Sequence, residues 1–380
     1  MKSLQKLAKP WELLNKMVEI FTATIDEFVD YPFELYKDDP YYVPELKSDT
    51  KHLLTKDPLW LNATRVLYVA KRKEKIVGRI AAIVNKAHDA HWQERAGFFG
   101  FFECENDQKT ANALFDAAEA WLKAQGSTFM RGPMNPSTNH TCGLLIDNFD
   151  KMPFIMMPYN PPYYATLIEG AGFKKVKDLV AFERTDKDDF SPRMKKILAR
   201  IERNKSITKR HLNLKNFDEE VEMVQRLYNA SWAENWGNVP ISKAEIAKLA
   251  KDLKLILKPE ITSVIEIDGE PAAFAISIPN MNPVLKILNG SLNLLKLPRA
   301  LWAWHKIRDI RMIMLGVDPK HRNRGLDLLL VKHVVVDGVK SGWNKAELSW
   351  LLEDNQGIIS VVEEAGCHKT KTYRVYQKEI

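Results

Sequence analysis

The pattern of hydrophobic and polar positions predicts the same order of strands and helices in both halves of the chain. Residues 65–71 and 76–84 alternate as two strands around a charged turn, and residues 261–267 and 272–278 repeat that hairpin. Apolar side chains at helical spacing predict an amphipathic helix over 108–123. The other predicted strands are 18–22, 95–105, 212–217, 311–317 and 346–352, with helices 24–37, 163–170, 219–234, 243–257 and 356–365, and a helix from 325.

This repetition of elements predicts a duplicated domain. Segments 17–185 and 211–380 are nearly equal in length, and their closing sequences at 169–175 and 363–369 are similar. An internal repeat of this length indicates two copies of one α/β unit. Residues 1–16 are expected to form an N-terminal extension.

The net charge comes from one short segment. Among 380 residues there are 56 Lys plus Arg and 49 Asp plus Glu, and positions 193–210 hold eight basic residues and one acid, Glu202, which accounts for the whole excess. A specific nucleic-acid partner needs a wider basic face, so none is predicted. We expect residues 186–210 to be a basic helical linker that braces the fold or weakly contacts a polyanion.

Cysteines and histidines give no metal or disulfide signal. The three cysteines lie far apart, and no apolar run reaches the roughly 18 residues that would span a bilayer. His88 and His91 share a helical spacing without a third ligand nearby, which favours solvated helix residues over a metal site. The expected location is the cytoplasm.

One local motif carries chemistry. From Val317 the chain runs through Pro319 and a basic turn at Arg322 into an apolar helix that starts at Gly325. Free N–H groups at such a helix start form a cradle for a pyrophosphate. A solvated helix start with a glycine turn is the alternative.

This segment resembles the acyl-CoA-binding motif of the GNAT acyltransferase superfamily, V-x-P-x-x-R/Q-x-x-G-x-G/A. Arg322 takes the Arg/Gln place and Gly325 the first Gly, whereas Asp327 stands where the family has Gly or Ala. The resemblance implies binding of acetyl-CoA or another acyl-CoA. The implied contacts are Leu315, Val317, Arg322, Asn323, Arg324, Gly325, Leu326, Asp327 and Asn355.

Downstream residues partly match the same family. Asn355 and the pair Gly366-Cys367 have the family's spacing, although Asn355 also suits a helix cap. Val362 occupies the place of the tyrosine that protonates the departing thiolate, so the usual general acid is missing. The first half resembles the family through Asn160, Glu169 and Gly172-Phe173 but lacks a phosphate turn, and we interpret it as a degenerate copy.

The implied fold is α/β, with two tandem GNAT-like domains, each a mixed, splayed sheet flanked by helices. Segments 235–237, 347–350, 352–355 and 373–376 resemble uncharacterised bacterial tandem GNAT proteins. The implied reaction is acyl transfer from acyl-CoA to the amine of a small molecule, and the alternative is a non-catalytic CoA-binding protein. In the implied mechanism a free N–H near Leu315 or Val317 polarises the thioester carbonyl.

Residues for the acceptor side are predicted as well. Glu353 or Glu347 is the implied base, with exposed strand-end carboxylates as the alternative. The predicted substrate contacts are Asn235, Trp236, Trp350 and Tyr373, although tryptophans at such positions also pack in cores.

Two further segments have open interpretations. The long loop 131–164 either lines a pocket between the halves or plugs the splayed sheet of the first half. Residues 284–310 mix leucines and tryptophans with basic side chains, which suits a membrane surface or the cover of an acyl chain. A dimer contact or domain packing is the alternative for this insertion.

Overall fold

The computed structural model describes residues 17–380, and the extension at 1–16 lies outside the described residues. Fifteen strands and twelve α-helices are formed within the described part. The strands are β1 Glu19–Thr22, β2 Ala63–Arg72, β3 Lys75–Asn85, β4 Ala96–Cys104, β5 Phe129–Gly132, β6 Met134–Asn135, β7 Thr141–Cys142, β8 Leu144–Leu145, β9 Lys174–Thr185, β10 Ile207–Arg210, β11 Thr262–Ile267, β12 Glu270–Pro279, β13 Asp309–Val317, β14 Lys345–Leu352 and β15 His368–Glu379.

Helices cover both faces of the sheet and begin at residues with suitable caps. Thr24 and Glu27 form a capping box at the first helix, and Ser242 with Glu245 does so at α8. The helices are α1 Ile25–Leu35, α2 Lys47–Lys56, α3 Lys86–Trp92, α4 Gln108–Ala124, α5 Tyr164–Gly170, α6 Pro192–Ile201, α7 Phe217–Trp232, α8 Lys243–Leu253, α9 Asn282–Leu288, α10 Leu297–His305, α11 Leu326–Lys340 and α12 Gln356–Glu364.

The sheets of the two halves join into one and exchange their last strands. The order is β1-β2-β3-β4-β5-β15-β9-β14-β13-β12-β11-β10, with β8 added beside β15. Thus β15, from the end of the chain, pairs with β5 of the first half, while β9 of the first half pairs with β14. Boundaries at 185 and 211 therefore stay a prediction about the sequence repeat, since both halves share one sheet.

Each half contains one place where two parallel strands separate. In the first half β4 and β5 pair only from Ala96↔Phe129 to Phe98↔Arg131, and in the second half β13 and β14 pair only from Asp309↔Lys345 to Met312↔Leu348. The splayed opening of the first half is filled. Asn135 Oδ1 accepts from Phe101 N–H at 2.6 Å, so the loop after β5 plugs this opening.

Two predictions around the linker are wrong. Residues 212–217 do not form a strand: Leu214–Asn216 is a 3₁₀ turn, and Asn213 accepts a hydrogen bond from Lys215 N–H within it. The strand instead is Ile207–Arg210, inside the stretch that was predicted as helical linker. The helical part, α6, buries Met194 and Leu198 in the core of the second half.

Candidate functional site

The opening between β13 and β14 holds a cavity of about 850 Å³, which we call the splay cavity. Its size is ordinary for a ligand site. One wall is β13 from Met312 to Val317, another is β14 from Leu348 to Leu352, and the start of α11 closes one end. The loop from the first half closes another side through Thr138, Asn139 and His140.

Backbone groups of β13 face this opening. Asp318 N–H donates to Ala272 C=O at 2.8 Å, and Val317 lies opposite Ala273. Asp318 and Ala272 therefore form a hydrogen-bonded pair of the antiparallel ladder, and their neighbours Val317 and Ala273 form a non-hydrogen-bonded pair. The N–H and C=O groups of Val317, and of Leu315 two residues earlier, consequently point away from β12 and towards the splayed edge. Helix α7 caps the two carbonyls, because Ser231 Oγ donates to Val317 C=O at 3.0 Å and Trp232 Nε1 to Leu315 C=O at 3.3 Å.

The start of α11 presents a positive turn to the cavity. Asn323, Arg324 and Gly325 precede the first helical turn, and Asn323 and Gly325 have positive φ values of 62° and 73°. Arg322 lines the cavity, but its Nη2 donates to Ser231 C=O at 2.9 Å. Leu326 also lines the cavity, whereas Arg324 and Gly325 do not.

Gly325 has a different role from the expected one. The resemblance implies a CoA contact at Gly325, but this residue does not line the cavity, and a Cβ there would lie 2.6 Å from Ile201 Cδ1 of α6. The glycine is required because the residue is left-handed and because α6 packs against it. This is a correction to the sequence-based interpretation.

Asp327 is the residue that fits an anion least well. It lines the cavity, and its Oδ1 accepts from Leu328 N–H at 2.9 Å, so the carboxylate occupies one donor of the helix start. Burial raises the pKa of Asp327 above its ordinary value. The start of α11 therefore offers free N–H groups to an anion, but the negative charge of Asp327 opposes its binding.

The structure places other predicted residues on the cavity wall. Asn355 lines it and caps α12 by accepting from Ile358 N–H at 3.3 Å, so its two proposed roles coexist. Asn235, Trp236 and Trp350 line the cavity as well. Val362 lines it too, at the position where the family has its tyrosine.

Besides Arg324 and Gly325, three residues predicted for the acceptor side do not line the cavity. Glu353 is turned towards β9, where Oε2 lies 2.7 Å from Lys175 Nζ and Oε1 accepts from Asp178 N–H. Tyr373 is fully buried in the core between the halves. Glu347 is also fully buried, behind Ser349, whose Oγ donates to Glu347 Oε1 at 2.6 Å. Neither carboxylate lines the cavity, which is a correction to their expected place.

Glu347 instead belongs to a buried cluster of charged side chains behind the wall of the splay cavity. Arg311 Nε lies 3.8 Å from Glu347 Oε1, and Arg311 also donates to Ser349 and to the Ile155 carbonyl. Burial raises the pKa of Glu347, while Arg311 acts in the opposite direction. The pair holds β13, β14 and the first-half loop together.

A second cavity of about 410 Å³, which we call the side cavity, adjoins the first. Asn139, His140, Met156 and Leu249 line both. Much of the side cavity is apolar, with Phe33, Leu46, Leu53, Phe101, Ile155, Met157 and Leu253 among its lining residues. The two cavities therefore meet at His140.

His140 is a functional candidate that was not predicted individually, although it lies in the loop 131–164 that was predicted to line a pocket between the halves or to plug the first sheet. Its Nδ1 lies 2.9 Å from Ser137 Oγ, and its Nε2 lies 3.8 Å from Asp57 Oδ1. Burial acts to raise the pKa of Asp57, but the nearby His140 imidazole, the hydrogen bond from Leu59 N–H and the charge of Lys248 outweigh it and hold the pKa below its usual value. An ionised Asp57 is therefore expected beside the imidazole.

Within residues 17–380 no group of three His, Cys, Asp or Glu side chains is arranged to hold a metal ion. His88 contacts Glu94 at 2.8 Å, and His91 contacts the Ala233 carbonyl, so the two imidazoles have separate partners. No helix in this part of the chain is long and apolar enough to cross a membrane.

Comparison with known proteins identifies the family. No protein-family model matches the chain. Protein YghO of Escherichia coli is 35% identical over 362 residues, which cover 93% of this chain and 92% of that protein. The bacterial ceramide synthase of Caulobacter vibrioides is 31% identical over 369 residues, covering 94% and 95%.

The fold has solved counterparts. A tandem GNAT protein from the clavulanic acid biosynthesis pathway matches with a TM-score of 0.57 and 13% identity, over 96% of this chain and 98% of that one. At this identity the likeness concerns the fold alone, and it agrees with the two splayed openings described above. The chain therefore has the fold of a tandem GNAT protein, and it belongs to the same family as Protein YghO and the bacterial ceramide synthase.

Proposed function

We propose that this protein is an acyl-CoA-dependent N-acyltransferase whose acceptor is the amine of a long-chain lipid base. The observation that carries the proposal is the splay cavity, where the free edge of β13 and the start of α11 face the same space. We also propose the cytoplasm as its compartment.

The residues at the cavity fit an acyl-CoA in most respects. Arg322 and Asn323, which line the cavity, would hold the pyrophosphate at the helix start, and Asn355 would contact the pantetheine arm. When bound, acyl-CoA supplies a thioester, which is already activated towards an amine. The Leu315 and Val317 N–H groups at the splayed edge would polarise the thioester carbonyl.

His140 replaces Glu353 and Glu347 as the proposed proton acceptor. It lies where the splay cavity meets the side cavity, so an amine that arrives from the side cavity would reach the imidazole before the thioester. Asp57 would stabilise the charge that the imidazole gains. The group that protonates the departing thiolate is unassigned, since Val362 carries no proton donor.

The acceptor class rests on two observations. A relative of this chain is named a ceramide synthase, and ceramides are amides of a fatty acid with a long-chain amine. The side cavity has a largely apolar lining that suits a hydrocarbon chain. We therefore propose a fatty acyl group, in place of acetyl, as the transferred group.

The test is a turnover assay on the purified protein. Acetyl-, octanoyl- and palmitoyl-CoA would each be incubated with a long-chain amino alcohol or a short polar amine, with thiol release and amide mass as the readouts. We expect release to depend on the long-chain amine and to be greatest with the long acyl groups. Thiol release that does not depend on any amine, or amide formation only with short polar amines, would contradict the acceptor assignment.

Asp327 favours one alternative, a CoA-binding protein without turnover. Its carboxylate and the absent tyrosine both depart from the family pattern. In that case calorimetry would detect CoA binding while the whole amine panel gave no thiol release.

A further inference from the structure

The insertion between β12 and β13 exposes an unusual amount of apolar surface. Five large hydrophobic side chains there are solvent-exposed, with Leu294 at 82%, Leu295 at 89% and Trp302 at 61%, and Leu292 and Leu301 beside them in sequence. They account for nearly half of the strongly exposed large hydrophobics among the described residues. Exposed apolar clusters of this kind mark interaction surfaces.

The same segment is cationic throughout. Residues 271–308 contain no Asp or Glu but five basic residues, Lys286, Lys296, Arg299, Lys306 and Arg308. Within residues 17–380 none of the five has a carboxylate within salt-bridge distance. Arg299, Lys306 and Arg308 are exposed, and Lys306 Nζ lies 3.6 Å from the centre of the Trp302 ring. Basic and apolar groups are therefore interleaved on one exposed surface.

This surface is held firmly on the body of the protein. Ala300, Ala303 and Ile307 are buried in the adjoining core, and the Gly290 carbonyl accepts from Lys47 N–H at 3.0 Å. The inner face of this segment is therefore packed, and the exposed leucines belong to its outer face. They are presented by the turn between α9 and α10 and by α10 itself.

We infer that the exposed face of residues 291–308 docks on the surface of an anionic lipid bilayer. Leucines and a tryptophan flanked by Lys and Arg are the composition of helices that lie at a membrane interface. Negative headgroups supply the charges that this segment lacks. A symmetric contact with a second copy would bring the same cationic patches opposite each other, so charge disfavours it.

The location of this surface explains what docking would achieve. Asn282 and Leu285 of α9 line the side cavity, and Phe33, which packs against Gly290, lines it too. A lipid amine leaving the bilayer would therefore enter the side cavity next to the docked face. This last step rests on the proposed function, whereas docking itself does not.

The experiment is vesicle sedimentation of the full-length protein without substrates. Vesicles of phosphatidylcholine with about a third phosphatidylglycerol would be compared with pure phosphatidylcholine. The test variants are Leu294→Ser with Leu295→Ser, and Arg299→Gln with Lys306→Gln. The matched control is Leu61→Ser with Leu255→Ser, because these leucines are 80% and 77% exposed elsewhere on the surface.

We expect the wild type and the control to sediment with anionic vesicles and each test variant to bind about tenfold more weakly or worse. Raising the salt to about 0.5 M is expected to weaken binding further. Absence of wild-type sedimentation, or equal loss in the control, would overturn the inference. So would a concentration-dependent dimer that the leucine pair abolishes, because the surface would then be a protein contact. Thiol release with a detergent-dispersed amine is a separate readout, which separates failed docking from failed catalysis.

Discussion

The carboxylate of Asp327 accepts the N–H of Leu328 at 2.9 Å, at the helix start that resembles an acyl-CoA cradle. A side chain of the protein thus takes a position that phosphate oxygens would otherwise compete for. Its negative charge stabilises the helix dipole and at the same time repels an anionic ligand.

Replacing Asp327 by Asn is expected to tighten CoA binding by about tenfold, which corresponds to about 1.4 kcal/mol. Because burial raises the pKa of Asp327, lowering the pH towards that pKa should neutralise the carboxylate and tighten binding to the wild type but hardly to the variant. Calorimetric titration with CoA at several pH values measures both. Asp337→Asn, near the other end of α11, is the control and should bind as the wild type does. Weaker binding in Asp327→Asn would instead show that the carboxylate orders the site.

A second prediction separates the candidate bases. His140→Gln should lower kcat by roughly 10² to 10⁴ without a comparable change in CoA affinity, because a positioned base acts on the proton and not on the nucleotide. Glu353→Gln should change kcat little, since its carboxylate is paired with Lys175 outside the cavity. His91→Gln, which also removes one imidazole, is the control. A large kcat loss in Glu353→Gln with an unaffected His140→Gln would restore the sequence-based assignment.

The role of Gly325 is tested by stability measurements. Gly325→Ala is expected to cost about 1 kcal/mol for the left-handed backbone and a further 1 to 3 kcal/mol for the clash with Ile201. Gly342→Ala has a similar positive φ but open space around its Cβ, so it should cost only the first amount. In an Ile201→Val background, which removes Cδ1, the penalty of Gly325→Ala should shrink. Urea unfolding gives all four values, and an unchanged penalty would argue against the packing explanation.

His333 is expected to make the fold sensitive to acid. Burial, the largest cause, lowers its pKa from 6.5 to about 4. Its contribution to stability is complete above pH 6.5, where the imidazole is neutral in both folded and unfolded chains. It is lost as the pH falls from 6.5 to about 4, because the unfolded chain gains the proton first.

Thermal unfolding at pH 7.5 and 5.5 would measure this effect. The wild type should lose about 1 kcal/mol more than His333→Gln between these values. Other groups titrate in both proteins, so only the difference between them is informative. An equal loss in the two would show that the imidazole is not responsible.

Local signals in the sequence predicted those parts of the site that lie on one continuous stretch. The turn at Arg322 and the cap Asn355 were identified because their spacing within the chain is itself the motif. The loop 131–164 was predicted to line a pocket between the halves or to plug the first sheet, but His140 was not singled out within it. Its position depends on contacts of this loop with the second half, where Tyr228 OH donates to Asn139 and Thr138 donates to the Gly237 carbonyl. No residue spacing indicates such a contact.

Strand positions failed for related physical reasons. Glu347 was predicted as a base at the cavity, but it pairs with Glu183 within the β14–β9 ladder, and its side chain lies on the buried side. Residues 207–210 were assigned to the linker because Thr208 and Lys209 are polar, as suits an edge strand. The sequence could not predict the exchange of β9 and β15, because the alternation of apolar and polar residues along a strand is the same whichever strand pairs with it.

That exchange means that neither half of the molecule is complete while the chain is being synthesised. Strand β5 acquires its neighbour β15 only after the second half has been made, and β14 depends on β9 from the first half. The first half is consequently required by the second, because without β9 the edge of the sheet beside the splay cavity would be unpaired. Each half of the chain therefore supplies a strand that the sheet of the other half requires.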